Sequence, residues 1–76
     1  MKNKVLKKIS AVVCAYNESR TIEICIQSLI NQEIDKNFYE IIVIDDESDD
    51  LTGNIVKNLV KMNKGSDIKY YKIRHS

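Results

Sequence analysis

Apolar residues along this chain fall into two alternating kinds of run, short unbroken ones and longer ones with helical spacing. Ile9 to Cys14 is almost continuously apolar, which fits a strand buried on both faces of a parallel sheet. Ile22, Cys25, Ile26, Leu29 and Ile30 then recur at i, i+3, i+4, i+7 and i+8, one apolar face of a helix that ends near Gln32. Asn17 or Ser19 is placed to cap that helix, and Glu23 lies near the positive end of its dipole. Ile41 to Ile44 is a second strand, made only of β-favouring residues. Leu51, Ile55, Leu59 and Met62, widened by Val56 and Val60, predict a second helix. Gly53 weakens its first turn, and Gly65 is positioned as its left-handed cap. Ile68 to Ile73 is a third strand, and its lysines Lys69 and Lys72 suit a sheet edge.

The order strand, helix, strand, helix, strand, joined by right-handed crossovers, predicts a three-layer α/β/α Rossmann-like architecture. Its parallel sheet has strand order 3-2-1. A basic tail at 1–8 precedes the domain at 9–76. In this order the most apolar strand has no partner on its outer side. Such an edge favours pairing with a second copy, most simply a homodimer joined antiparallel through the first strands.

Charge adds little to this picture. With 12 basic and 11 acidic residues the net charge is +1, which leaves no electrostatic footprint for nucleic acid. Lys2, Lys4, Lys7 and Lys8 crowd the start, compatible with weak attraction to an anionic membrane surface. The lysines and the apolar run after them are not expected to form a signal peptide. The run contains Ser10 and passes into Tyr16-Asn17-Glu18 without a small-residue cleavage site. No run approaches the ~18 apolar residues of a membrane span, so a soluble, cytoplasmic chain is expected. Cys14 and Cys25 have neither C-x-x-C nor zinc spacing. Both lie in apolar runs and read as small buried hydrophobes, with a single disulfide left open.

Ligands of open parallel sheets bind beyond the carboxyl ends of the strands. Two loops occupy that end, Cys14-Ala15-Tyr16-Asn17-Glu18 and Asp45-Asp46-Glu47-Ser48. The first has no glycine, so it is no G-x-G-x-x-G phosphate cradle. An aromatic ring and a carboxylate stand there instead, which suits a base and a ribose. Tyr16 is able to stack on a planar ring, and Asp46 to accept from base N–H donors. Glu18 either accepts from ribose hydroxyls or serves the helix dipole. Asp45 reads as structural, bonding its own turn. Asp49 and Asp50 read as solvated residues at the helix start, with a capping role left open.

The runs Ala-Val-Val-Cys-Ala-Tyr-Asn-Glu, Ile-x-x-Cys-Ile-x-Ser-Leu-Ile-Asn-Gln and Tyr-Glu-Ile-Ile-Val-Ile-Asp-Asp-Glu-Ser-Asp-Asp-Leu-Thr resemble, in order and spacing, the start of family 2 glycosyltransferases of the GT-A fold. The ending Tyr71-Lys72-Ile73-Arg74-His75 is similar to that family's third strand. The resemblance implies a nucleoside-diphosphate-sugar donor, UDP- or GDP-linked. It puts Tyr16 against the base, Asp46 on the base edge, and the backbone of Cys14, where the family often has proline, in contact with the base. Ala15, Asn17 and Asp45 would support the site. Where the family often has glycine after the Asp-Asp pair, this chain has Glu47. The family's Asp-x-Asp, which holds a divalent metal (Mg or Mn) on the diphosphate in the full-length enzyme, does not occur in these residues, nor does a catalytic base. Metal-assisted departure of the diphosphate needs that ion, so this span alone is expected to be inactive.

Two other readings compete. Ile-Ile-Val-Ile-Asp-Asp-Glu-Ser also resembles the acidic pair that binds magnesium in receiver domains. There the pair closes the first strand, whereas here a strand and a helix precede it. A non-catalytic interaction module associating through the free apolar edge is the second.

Overall fold

The computed structural model describes residues 9–74; the basic tail at 1–8, together with His75 and Ser76, lies outside the described residues. The elements are β1 (Ile9–Ala15), α1 (Ile22–Ile30), a 3-10 turn (Lys36–Phe38), β2 (Tyr39–Asp46), α2 (Thr52–Met62) and β3 (Asp67–Ile73). The three strands form one parallel sheet with β2 in the middle, the order expected from the right-handed crossovers.

β2 shows why the core lies where it does. Its residues alternate, with Tyr39, Ile41, Val43 and Asp45 buried and the residues between them half-buried. The register aligns Val13, Val43 and Tyr70 across the sheet, with Ala11, Ile41 and Ile68 in the row before. Onto this face pack Ile22, Ile26 and Ile30 of α1 and Val56 and Leu59 of α2, in one core. Burying each such aliphatic side chain contributes roughly 1.5–3 kcal/mol. Both crossovers have the same hand and run in the same direction, so both helices cover the same face. Among the described residues the opposite face carries no helix. Val12 is 57% exposed, and Tyr71 and Ile73 are exposed too.

That placement corrects the reading of β1 as buried on both faces, and with it the reading of the cysteines. Cys14 and Cys25 are free thiols, both exposed. Two helix details also differ. The buried stripe of α2 is Thr52, Val56 and Leu59, while Leu51 and Met62 are exposed. The stripe is turned because Thr52 finds partners for its hydroxyl inside the fold. Gly65 is not a left-handed cap, because no glycine among the described residues has positive φ. The helix instead ends at Asn63, whose side-chain amide donates to the Leu59 carbonyl at 2.8 Å. Nor does Asn17 or Ser19 cap α1. Thr21 holds the cap position, and the Glu18 carbonyl accepts from the Thr21 and Ile22 amides. No helix among the described residues is long and apolar enough to cross a membrane.

Candidate functional site

The loops after β1 and β2 meet at the carboxyl edge of the sheet and are tied by four bonds from backbone N–H groups to side-chain oxygens. The Asn17 amide donates to Ser48 Oγ at 2.8 Å, and the Glu18 amide donates to Thr52 Oγ1 at 2.9 Å. The Ser19 amide donates to Asp50 Oδ2 at 3.3 Å. In return the Asp49 amide donates to Asn17 Oδ1 at 3.0 Å. Short side chains suit this work because they reach a neighbouring backbone with few rotamers to freeze. Asn17 adopts φ 50°, the left-handed region that asparagine tolerates better than most residues.

Asp45 anchors the second loop from below. It is 1% exposed. Its Oδ1 accepts from the Ser48 amide at 2.9 Å and its Oδ2 from the Tyr70 hydroxyl. Burial pushes its carboxyl up, but the bonds from Ser48 and Tyr70 and the charge of Lys72 together hold it below the ordinary 3.8. Burial, with the same pairing, pushes the Tyr70 hydroxyl up to about 12. Asp45 is therefore a structural carboxylate of its own turn.

Above this anchor the turn presents Asp46 and Glu47. With Tyr16 and Asp49 they line an open cleft of about 600 Å³. Tyr16 is exposed, so its ring is available to a planar ligand. Cys14 and Glu18 do not join this group. They line a separate groove of about 150 Å³ beside Thr21, Ile22 and Cys25. Glu18 is engaged at the start of α1, where its Oε1 accepts from Thr21 Oγ1 at 3.2 Å. Ala15 is buried under the loop. Of the residues singled out from sequence, the fold thus brings Tyr16 and Asp46 together, with Asn17 and Asp45 as supports. Ser48, Thr52 and Tyr70, which hold the loops, are not singled out in the sequence, and Glu47 and Asp49 are not assigned to the cleft there. The local signal for part of this set was Asp-x-Thr at Asp50–Thr52, a spacing that favours side-chain-to-backbone bonding.

Asp50 is exposed, yet bonds from the Thr52 side chain, then from the Thr52 and Ser19 amides, lower its carboxyl from 3.8 to about 2. A folded value below the unfolded one adds stability that is complete above the unfolded value and is lost as pH falls through the folded one. Stability measured by urea unfolding is therefore expected to drop between pH 3.8 and about 2. Asp50→Asn should flatten that drop, and an unchanged slope in the variant would contradict the assignment. Glu47 has φ 54°, a left-handed conformation for a residue with a Cβ. Relief of that strain outweighs the chain entropy of glycine, so Glu47→Gly should stabilise the fold by roughly 0.5–1 kcal/mol. A lower urea midpoint for the variant would contradict this.

Comparison with known proteins identifies the family and the fold. The model of Glycosyl transferase family 2 matches residues 10–75. A dolichyl N-acetyl-α-D-glucosaminyl phosphate 3-β-D-2,3-diacetamido-2,3-dideoxy-β-D-glucuronosyltransferase of Methanococcus voltae is 35% identical over 63 residues, 83% of this chain and 20% of that protein. A poly(ribitol-phosphate) β-glucosyltransferase of Bacillus spizizenii is 43% identical over 54 residues, 71% of this chain and 8% of that protein. The chain therefore spans a fifth or less of the length of these relatives. Among solved structures, a mannosyltransferase from Pyrobaculum calidifontis in complex with GDP-Man and Mn2+ superposes with a TM-score of 0.82 at 20% identity. The match covers 91% of this chain and 19% of that one, and it identifies the fold as GT-A. A receiver domain is ruled out by the same matches. The chain belongs to glycosyl transferase family 2.

Proposed function

We propose that the cleft between Tyr16 and Asp46 receives the nucleoside of a UDP- or GDP-linked sugar donor. One observation carries the reading: an exposed aromatic ring and a carboxylate face one cleft at the carboxyl ends of adjacent parallel strands. The ring stacks on the base, and Asp46 accepts from its N–H donors. Glu47 and Asp49 make the cleft acidic, which suits the hydrogen-bond donors of base and ribose and repels phosphate. The family supports a sugar nucleotide as partner, and the solved mannosyltransferase was captured with GDP-Man and Mn2+. Cys14 and Glu18 lie in the adjoining groove. In this reading Cys14 contributes through its backbone, and Glu18 shapes the start of α1 rather than gripping the ribose.

A divalent cation is expected of the family, and the solved mannosyltransferase holds Mn2+. Among the described residues no group of three His, Cys, Asp or Glu is arranged to hold a metal ion, and no step is assigned to one. The work of this span is donor binding, and by itself it is expected to bind nucleotide without transferring sugar.

Calorimetric titration with UDP and GDP tests the site. Asp46→Ala should weaken binding by about 2 kcal/mol, because a charged acceptor is lost from base donors. That corresponds to roughly 30-fold in Kd. Asp49→Ala should do much less. Equal losses at both positions would show a bulk charge effect and overturn the base-edge role of Asp46.

A further inference from the structure

We infer that Tyr70 is a positioning residue for the nucleotide cleft: its hydroxyl fixes Asp45, Asp45 fixes the turn that presents Asp46, and Gly53 leaves the space that hydroxyl occupies. The inference rests on the proposed reading of the cleft as a nucleoside site. It adds residues from β3 and α2 that touch no part of the cleft.

The chain of contacts is continuous. Asp45 is the next-to-last residue of β2, and its two oxygens serve different partners, Oδ1 the Ser48 amide and Oδ2 the hydroxyl of Tyr70 on the neighbouring strand. Asp46 and Glu47 are the residues spanned by the Asp45–Ser48 bond. Any rotation of the Asp45 carboxylate therefore moves the turn that lines the cleft. Lys57 of α2 lies over the Tyr70 ring, its Nζ 5.8 Å from the centroid. Gly53 faces the same hydroxyl. A Cβ there would lie 2.6 Å from Tyr70 Oη, too close for any real contact, but 3.5 Å from Cζ, an ordinary one. A glycine in the first turn of a helix carries a propensity cost, and this clearance explains its presence. It also sets a specific requirement: the methyl group of alanine conflicts with the hydroxyl and not with the ring.

Four forms of the protein test this: the parent, Tyr70→Phe, Gly53→Ala, and the two together. Each is titrated with UDP and GDP and checked for fold by circular dichroism. Tyr70→Phe should weaken nucleotide binding about 5-fold, the worth of one buried hydrogen bond. Gly53→Ala should weaken it at least as much. The double variant should return to the Tyr70→Phe level, because removing the hydroxyl removes the conflict. In an Asp46→Ala background Tyr70→Phe should have no further effect on affinity, whereas a merely structural tyrosine would still add its loss. Parental affinity in Tyr70→Phe, or losses that add in the double variant, would overturn the inference. If Gly53→Ala does not fold, refolding of the double variant supports the conflict, and its failure to refold counts against it. The amide resonances of Asp46 and Ser48 in ligand-free Tyr70→Phe give a readout independent of nucleotide. Displaced resonances support positioning, and unmoved ones overturn it. Failure of the parent to bind either nucleotide would instead fall on the nucleoside reading.

Discussion

Thr52→Val should destabilise the fold by about 3 kcal/mol, although the two side chains are nearly the same shape. Thr52 is 0% exposed at the start of α2. Its hydroxyl accepts from the Glu18 amide and donates to Asp50 Oδ1, so it joins the loop after β1 to the loop after β2. Valine fills the space and leaves the part-buried Glu18 N–H without its acceptor. An orphaned donor costs roughly 1–3 kcal/mol, with the lost bond of the hydroxyl itself in addition. Thr52→Ser keeps the oxygen and should lose much less. Urea unfolding followed by circular dichroism separates the two. A loss below 1 kcal/mol in the valine variant, or equal losses in both, would show that methyl packing rather than the hydroxyl ties the loops. The same change should weaken nucleotide binding, because Tyr16 and Asp46 face one cleft only while the loops stay joined.

This clamp marks the boundary of what was legible in the chain. Element order and sheet topology were, because Ile41 to Ile44 is unmistakably strand-like and the helical spacing on either side leaves one right-handed solution. The strand ends were less so. β2 runs from Tyr39 to Asp46 because pairing with β1 and β3 extends the ladder past the apolar run. Topology also placed Tyr16 and Asp46 side by side, since it fixes which loops share an edge. The clamp bonds were hidden because they link residues 31 to 34 positions apart, through side chains that look like ordinary loop polar residues. Leu51 and Thr52 show the same limit at the start of a helix. Hydropathy favours Leu51 for the core, yet it is exposed, while Thr52 is buried by virtue of partners that only the folded chain supplies. Gly53 likewise reads in the sequence as a weakness of α2, and only the fold sets the Tyr70 hydroxyl beside it.

Ile26→Ala should have the largest effect on stability of any change considered, about 4 kcal/mol. Ile26 is 0% exposed, on the face of α1 that packs over the sheet, in the same core as Ile41, Val43 and Val56. Truncating a fully buried isoleucine removes its transfer free energy and leaves a cavity that neighbours fill only in part, with typical losses of 2–5 kcal/mol. Domains have roughly 0.05–0.15 kcal/mol of stability per residue, so a chain this small has little reserve against such a loss. Two positions back along the helix, Ile24 has the same side chain and is 71% exposed. Ile24→Ala should stay within about 0.5 kcal/mol of the parent. The contrast between two isoleucines on opposite sides of one helix isolates burial from helix propensity, which changes equally in both variants. Paired urea titrations of the two variants measure it. Comparable losses at both positions would mean that a partner surface covers the outer side of α1, and that the core lies on both sides of the helix rather than one.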